Sequence, residues 1–221
     1  MNTQRLTLIT AAVVAVALIG IIVYSRLQPS PASTTTNSAS TDLTYDGQPR
    51  LGDPDAPVVL AVFEDFKCPA CQFFDANILP QLERDYLNTG QAQLYFFNFP
   101  FLGPDSTTAA IAGECAYEQN EAAFWEYKTI LFRAQGPESQ QWATPARLED
   151  LATNLGDLDA AALRECTEEE RYADRVADER QLGEDAGVTG TPSLYLNGRK
   201  LESANDYAAV QAAIDEALAS D

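Results

Sequence analysis

The sequence predicts an α/β domain in which a strand–helix–strand unit is followed by a long helical block and closed by a β-hairpin and a final helix. Three observations support this fold class. The apolar, β-branched run at 58–63 has the length and composition of a buried strand. A helical pattern of apolar side chains extends over 106–186. Asn197-Gly198 lies between two short strand-like segments and is a strong hairpin signal.

The strand–helix–strand unit comes first in this order. A helix is expected from Pro69 to about Leu87, and Pro80 should kink it, because proline cannot donate the helical hydrogen bond. An aromatic segment at 93–99 predicts the second strand. Because a helix joins the two strands, they should pair in parallel with a right-handed crossover.

The helical block and the closing elements follow. Five helices are expected, at about 106–118, 124–132, 148–155, 163–166 and 168–183. The aromatic side chains of the second of these helices are interpreted as core, and the run Glu168-Glu169-Glu170 as the solvated start of the fifth. The hairpin should pair 193–196 with 199–201, before an amphipathic helix over 206–218.

The N-terminal part of the chain divides into three segments. Residues 6–25 are nearly all apolar and long enough to span a bilayer, which predicts a transmembrane anchor after a short cytoplasmic N-terminus at 1–5. A cleavable signal peptide is the alternative. The Ser-, Thr- and Pro-rich residues 26–50 predict a flexible linker to a domain over 51–221. That domain is expected on the extracytoplasmic side of the cell membrane, where disulfides persist.

The charge balance excludes one class of partner. The 221 residues include 33 acidic and only 14 basic side chains, for a net charge of −19. A nucleic-acid partner is therefore not expected, because phosphate binding needs a basic surface. The acidic side chains form either a solvated surface that keeps the protein soluble or an adaptation to high salt.

The candidate reactive site is Cys68-Pro69-Ala70-Cys71, directly after the first predicted strand. Pro69 suits the first turn of a helix, so Cys68 should lie at the helix N-terminus and Cys71 one turn inside. A helix N-terminus favours the thiolate, which is the reactive form of cysteine, so the motif predicts a redox dithiol.

Two other interpretations of this motif are weaker. Half of a zinc site would need further Cys or His ligands. The chain has no His, and Cys115 and Cys166 are not spaced as a second pair of this kind. A purely structural bond between Cys68 and Cys71 would close a ring too short to stabilise the fold much. No metal and no cofactor is therefore expected.

Several motifs together resemble one family. They are Leu51-Gly52-Asp53-Pro54-Asp55-Ala56-Pro57, Asp65-Phe66-Lys67-Cys68-Pro69-Ala70-Cys71, Cys115-Ala116, Phe124-Trp125-Glu126-Tyr127, Gly187-Val188-Thr189-Gly190-Thr191-Pro192 and Asn197-Gly198. The chain resembles the DsbA-type branch of the thioredoxin superfamily over about 51–219, and within it the membrane-tethered, BdbD-like proteins of the Gram-positive type. The resemblance implies a thioredoxin-like core, made of the βαβ unit with the C-terminal hairpin and helix, and a helical insertion at about 104–187.

The resemblance also implies residue roles. Cys68 would be the attacking cysteine and Cys71 the resolving one. Pro192 would be a cis-proline facing the disulfide, with Thr191 before it offering backbone groups to an extended substrate segment. Cys115 and Cys166 occupy positions where some relatives carry a second, structural disulfide; two buried free thiols are the alternative.

The chain departs from the family pattern at two positions. Val62 stands where members often carry a buried Glu, six positions before the first cysteine, so the proton transfer that such a carboxylate supports is expected to be absent or to involve Asp65. Ala70 stands where a well-known member has His. Thiolate stabilisation at Cys68 would then come only from the helix dipole and backbone donors.

The expected function is that of a thiol–disulfide oxidoreductase that introduces disulfide bonds into exported proteins. Its partners would be reduced or unfolded exported proteins and a membrane re-oxidase of the DsbB or VKOR kind. The same fold acting as a reductase or isomerase is the first alternative. A non-catalytic binding or chaperone domain is the second, and a tethered adaptor whose acidic face binds a cation is the third.

Overall fold

The computed structural model describes residues 41–220. Five strands form one sheet in the order β1-β3-β2-β4-β5, in which β2 and β3 are parallel and the other neighbouring strands are antiparallel. The strands are β1 Arg50–Gly52, β2 Val58–Glu64, β3 Ala92–Asn98, β4 Ser193–Leu196 and β5 Arg199–Lys200. The predicted parallel unit and the C-terminal hairpin are thus present. Strand β1 was not predicted, because three residues are too few to show an alternating pattern.

Seven helices surround this sheet within the described residues. Helix α1 is continuous and consists of Pro69–Phe73, Phe74–Ile78, Leu79–Leu82 and Glu83–Leu87. The others are α2 Pro104–Gln119, α3 Glu121–Arg133, α4 Pro145–Ala152, α5 Ala160–Glu168, α6 Ala173–Asp185 and α7 Tyr207–Leu218. The predicted anchor at 6–25 and the N-terminus at 1–5 lie outside the described residues. Between residues 41 and 220, no helix has the length and hydropathy needed to cross a bilayer.

Helix α1 contains two π-helical segments, Phe74–Ile78 and Glu83–Leu87. At the end of the first, the N–H of Leu79 donates to the carbonyl of Phe74, five residues back. Pro80 follows immediately and has no N–H to donate, and its ring crowds the carbonyl four residues earlier. A widened turn directly before Pro80 is one way in which a helix accommodates a proline.

The side chains of the central strands alternate between two apolar cores. On the larger side, Leu60 and Val62 of β2 and Leu94 and Phe96 of β3 pack against α1, α7 and helices of the insertion. The opposite face carries a smaller core that includes Phe63 of β2. Because Glu64 follows Val62 by two residues, its side chain lies on the same side of the sheet as the larger core.

The smaller core includes part of the segment predicted as a linker. Leu43 is buried in this core, and the ring of Tyr45 lies 4.7 Å from that of Tyr95. The N–H of Thr41 donates to the carbonyl of Gly198. The prediction of a flexible linker over 26–50 and a domain from 51 is therefore wrong for residues 41–50, which belong to the folded domain. Composition alone did not show this, because a few apolar side chains anchor an otherwise polar segment.

The charged run Glu168-Glu169-Glu170 ends a helix rather than starting one. Glu170 has a positive φ of 50°, and its N–H donates to the carbonyl of Thr167, while that of Arg171 donates to Cys166. This pair of hydrogen bonds is a Schellman ending of α5. The fifth predicted helix therefore begins at Ala173, not near Glu168.

Candidate active site

The loop between β2 and α1 is held by the buried carboxylate of Asp65. Its Oδ1 accepts a hydrogen bond from the N–H of Lys67 at 2.8 Å, and Oδ2 accepts from the N–H groups of Phe101 and Leu102. The hydroxyl of Ser106 donates to both oxygens. Because Asp65 is committed to these hydrogen bonds, it serves as a structural anchor. The expected alternative, in which Asp65 transfers protons, finds no support in this geometry.

The amide side chains of two other segments bind the backbone of the Cys68–Cys71 turn. The Nε2 of Gln135, after α3, donates to the carbonyls of Phe66 at 2.8 Å and Cys68 at 3.1 Å. The Nδ2 of Asn205, before α7, donates to the carbonyl of Ala70. The turn is thus held from the insertion and from the C-terminal segment together.

Cys68 is the N-cap residue of α1, with extended backbone angles and Pro69 as the first helical residue. Its Sγ lies 3.3 Å from the carbonyl oxygen of Thr191. A hydrogen bond from the Cys71 thiol lowers the pKa of Cys68, and Thr191 and the backbone N–H groups of Cys71 and Ala70 add to this effect against the opposing effect of burial. The resulting pKa is about 6. Cys68 is therefore largely thiolate at neutral pH.

Cys71 has the opposite character. Its side chain is fully buried, and burial raises the pKa of its thiol well above the usual range. The hydrogen bond to Cys68 and the negative charge of Glu64 raise it further. Both cysteines are free thiols in this structure. One sulfur is therefore stabilised as a thiolate, while the other remains protonated and fully buried.

Thr191 and Pro192 lie beside the dithiol, in the loop that leads into β4. The peptide bond between them is cis, and both residues are partly exposed. The hydroxyl of Ser193 donates to the carbonyl of Gly190, and Ser193 then pairs with Phe63 of β2. The structure thus brings together the four predicted site residues Cys68, Cys71, Thr191 and Pro192.

Glu64 is a buried carboxylate at the end of β2, and the sequence analysis did not assign it a role. Its side chain is fully buried, and Lys128 Nζ of α3 lies 2.9 Å from its Oε2. Burial raises the pKa of Glu64 to about 7, with Asp75 and Cys68 adding to the increase and Lys128 opposing it. The expectation that the buried carboxylate is absent is therefore wrong. It is present two positions later than Val62, on the same face of the strand.

Comparisons with known proteins agree with this geometry. A family model described as "Thioredoxin" matches residues 44–216. The chain is 32% identical over 211 residues to the probable disulfide bond formation protein D of Bacillus anthracis, covering 95% of this chain and 94% of that protein. The chain belongs to the DsbA-type disulfide oxidoreductases of the BdbD kind.

Two further matches concern Bacillus subtilis. Its disulfide bond formation protein D is 33% identical to this chain over 172 residues, which is 78% of each. The crystal structure of oxidised BdbD from that organism superposes with a TM-score of 0.78 at 32% identity, covering 81% of this chain and 97% of that structure. This DsbA-type chain is thus a protein disulfide oxidoreductase with a thioredoxin-like fold, as the sequence predicted.

The second cysteine pair of this DsbA-type protein forms a disulfide within the helical insertion. Cys115 of α2 and Cys166 of α5 are bonded, with an S–S distance of 1.97 Å and 51 positions of separation. They cannot then complete a zinc site with Cys68 and Cys71. Between residues 41 and 220, no three His, Cys, Asp or Glu side chains are grouped so that they could hold a metal ion.

The site residues that the sequence analysis missed share one property: their role depends on contacts between distant segments. Glu64 had a visible signal, since it continues the inward-facing series of Leu60 and Val62 on β2. Gln135 and Lys128 had none, because nothing local shows that their side chains reach α1 or β2.

Proposed function

We propose that this chain oxidises pairs of thiols in exported proteins through a Cys68–Cys71 disulfide. A substrate thiolate attacks Cys68 Sγ, the Cys68–Cys71 bond breaks, and Cys71 leaves with the bonding electron pair. The second substrate thiolate then attacks the substrate sulfur of the mixed disulfide, and Cys68 leaves as a thiolate. The substrate gains one disulfide, and the enzyme becomes a dithiol.

The observation that carries this proposal is the difference between the two sulfurs. A stabilised Cys68 thiolate favours the reduced enzyme, and therefore makes the enzyme disulfide oxidising. Cys71 is fully buried, whereas Cys68 keeps 7% of its surface exposed, so attack by another thiol is directed to Cys68. The same difference makes Cys68 the better leaving group in the second step.

Glu64 supplies the proton that Cys71 takes up when it leaves. The Glu64 carboxyl is buried on the inward face of β2, and Cys71 is buried in the larger core on that side of the sheet. The negative charge of Glu64 raises the pKa of the Cys71 thiol. A carboxyl with a pKa of about 7 is half protonated at neutral pH, which is the range in which a general acid is most effective.

The substrate segment binds in an extended conformation at the loop before β4. Thr191 is partly exposed, and its carbonyl oxygen lies 3.3 Å from Cys68 Sγ, so an extended segment that pairs with this loop would pass beside the dithiol. Phe73 and Phe101, which are 48% and 42% exposed, are the two large apolar side chains exposed within the described residues. Phe73 lies two residues after Cys71, and Phe101 is bound through its N–H to the Asp65 anchor, so an unfolded substrate can contact apolar surface close to the dithiol.

The proposal includes a location and a redox partner. Residues 6–25 anchor the chain in the cell membrane as a single span, with the folded domain on the extracytoplasmic side. A membrane re-oxidase of the DsbB or VKOR kind returns the dithiol to the disulfide. The nearly continuous apolar run at 6–25 supports this arrangement, as does the Cys115–Cys166 disulfide, because disulfides persist in oxidising compartments.

The first test is a pH titration of the thiolate absorbance in the reduced protein. We expect a midpoint near pH 6 for Cys68, and Cys68→Ser should abolish both this transition and the oxidation of a reduced, unfolded substrate. Cys71→Ser cannot form the Cys68–Cys71 disulfide and should not oxidise the reduced substrate. With a substrate that already carries a disulfide, its Cys68 thiolate should displace one substrate thiolate and form a mixed disulfide that persists, because no Cys71 thiol is present to release it. A Cys68 midpoint at or above about 8.5, the value of free cysteine, would contradict the oxidase proposal.

The direction of the reaction is tested by the reduction potential of the Cys68–Cys71 pair against a glutathione buffer. A potential well above that of thioredoxin, which is about −270 mV, is expected for an oxidase. A value at or below that of thioredoxin would favour the reductase alternative.

A further inference from the structure

Lys128 is a buried cation shared by carboxylates from two other elements. Its Nζ lies 2.9 Å from Glu64 Oε2 of β2 and 2.8 Å from Asp75 Oδ1 of α1. The three side chains are 0–4% exposed. The ring of Phe132 covers the ammonium, with 4.8 Å from Nζ to the ring centroid. Since α3 belongs to the helical insertion, the insertion provides the only cation of this cluster within the described residues.

The charges of this cluster do not balance when all three groups are ionised. One ammonium faces two carboxylates, and a buried unpaired charge is costly, so one carboxyl must take up a proton readily. Asp75 Oδ1 accepts a well-formed hydrogen bond from Lys128. Glu64 Oε1, in contrast, is buried and accepts no hydrogen bond from residues 41–220. The geometry therefore places the exchangeable proton on Glu64.

The other ionisable groups around this cluster come from α1. Cys68 and Cys71 lie at the start of the helix, and the charge of Cys68 acts on Glu64. Glu83, in the second π segment, is partly buried, and burial together with Asp75 raises its pKa. Burial lowers the pKa of Lys128, but Glu64 and Asp75 together outweigh that effect, so Lys128 remains charged.

We propose that Lys128 and Asp75 are positioning residues that set the protonation equilibrium of Glu64 in opposite directions. Lys128 favours the Glu64 carboxylate, while Asp75 engages the same ammonium and favours the neutral acid. Since Asp75 is on the helix that carries the cysteines and Lys128 is on the insertion, their contact adjusts the proton supply to the dithiol. This inference rests on the proposed role of Glu64 as proton donor.

The proton transfer accompanies the attack of the substrate thiolate. As the substrate sulfur forms a bond to Cys68 Sγ, the Cys68–Cys71 bond breaks, its electron pair stays on Cys71 Sγ, and Cys71 Sγ takes the proton from the Glu64 carboxyl. Glu64 becomes a carboxylate paired with Lys128, and water later returns the proton. Lys128 gains and loses no proton in this cycle.

The experiment is a pH titration of the Glu64 carboxyl by ¹³C NMR in the reduced protein, with Glu64→Gln identifying the signal. Lys128→Met should raise the midpoint by about 1–3 units, because an opposite charge is removed at hydrogen-bond distance. Asp75→Asn should lower it by about 1 unit, because a like charge is removed and the ammonium then pairs with Glu64 alone. Opposite shifts would not result from a merely structural role, in which both substitutions only loosen the core.

Asp105→Asn is the matched control. It removes a buried carboxylate from the other buried lysine, Lys67, whose Nζ lies 2.7 Å from Asp105 Oδ1, and it should leave the Glu64 midpoint unchanged. If Lys128→Met does not fold, the Asp75→Asn variant alone tests the inference, because the inference predicts that this variant lowers the Glu64 midpoint. Shifts in the same direction for both variants, or no shift for Asp75→Asn, would overturn the inference.

A second readout separates this inference from the proposed function. The pH dependence of the reduction of the Cys68–Cys71 disulfide by dithiothreitol should move with the Glu64 midpoint in each variant. If the Glu64 midpoint moves in opposite directions in the two variants but the reaction profile does not move, then Lys128 and Asp75 do set the protonation of Glu64, whereas the proposed role of Glu64 as proton donor, and with it the effect on the dithiol, fails.

Discussion

Cys68 and Cys71 are separated by two residues, yet the pKa of Cys68 lies below the usual range of a thiol and the pKa of Cys71 lies above it. Cys68 caps a helix and receives hydrogen bonds from its own first turn, whereas Cys71 is enclosed by apolar side chains and lies within the field of Glu64. The helix N-terminus therefore stabilises charge on one sulfur, and burial opposes it on the other. This difference in environment within a single turn of helix supports the division of roles proposed for the two cysteines.

At the residue scale, Glu64→Gln should make the protein more stable at alkaline pH. The pKa of Glu64 is about 7 in the folded protein against an ordinary 4.5, so the folded state holds more protons between these values. The stability that the protonated Glu64 carboxyl contributes is fully present below pH 4.5 and is lost as the pH rises through about 7. The Gln variant should gain up to about 3 kcal/mol at pH 8 and almost nothing at pH 4.

Urea denaturation of the wild type and Glu64→Gln at the two pH values measures this difference. The same variant should take up the Cys71 proton more slowly when dithiothreitol reduces its disulfide. A gain in stability that is equal at pH 4 and pH 8 would show that the effect is not the ionisation of Glu64.

At the element scale, the insertion is held together by a covalent bond and by close helix packing. The Cys115–Cys166 disulfide joins α2 to α5 across 51 positions. Helix α6 approaches the sheet closely at Gly183, where an added Cβ would lie 2.6 Å from Phe99 and 3.1 Å from Phe63. Helix α2, which carries one end of the disulfide, also packs against α3, the helix that carries Lys128.

Replacing Cys115 and Cys166 together by Ala should destabilise the fold without changing the chemistry of Cys68. The chain-entropy model gives at most about 4 kcal/mol for a loop of this length, which corresponds to about 10 °C in Tm. Calorimetry measures the loss, and the Cys68 thiolate titration is the control. Mass spectrometry of the non-reduced protein should find one linked peptide pair; free alkylation of both thiols in the native protein would contradict the bond.

Gly183→Ala tests the helix packing. Alanine normally favours a helix over glycine, but here the methyl group would clash with two buried aromatic rings, so we expect a loss of about 1–3 kcal/mol. Gly156→Ala is the matched control, because an added Cβ there meets nothing within 4 Å. Equal unfolding free energies for the two variants would show that α6 can move away from the sheet at low cost.

At the scale of the whole molecule, the sheet is completed by chain segments that are far apart in sequence. Residues 41–52 cover one face of the sheet and add β1 to its edge, next to β3. Gln48 Nε2 donates to Glu179 of α6, which ties this segment to the insertion. Residues 41–52 are therefore part of the domain that carries the dithiol.

Shortening the chain tests this conclusion. A protein that begins at residue 41 should fold as the full domain does, whereas one that begins at 53 loses β1 and the buried Leu43 and exposes the smaller core. We expect a loss of about 3 kcal/mol or more and increased binding of a hydrophobic dye. The same melting temperature for both proteins would show that residues 41–52 are dispensable.

The sequence by itself determined the elements whose signals are local. Each of these elements has its own signal in the sequence: an apolar run at 58–63, a proline after the first cysteine in Cys68-Pro69-Ala70-Cys71, and a glycine in the Asn197-Gly198 hairpin. The fold class and the position of the dithiol could therefore be predicted. The resemblance of several motifs to one family then added the roles of Thr191 and Pro192 and the Cys115–Cys166 bond.

Only the tertiary structure decided what surrounds the dithiol. The side chains around the dithiol come from separate parts of the chain: Glu64 from β2, Asp75 from α1, Lys128 from α3 and Gln135 from the segment after α3. No short stretch of sequence therefore shows that they meet. The predicted absence of the buried carboxylate was wrong because it relied on a fixed spacing from Cys68. The face of the strand on which a side chain lies is better evidence that the side chain is buried, and Glu64 lies on the same face as Val62. Protonation at a buried site depends on neighbours in space, because burial and nearby charges set a pKa, and only folding defines both.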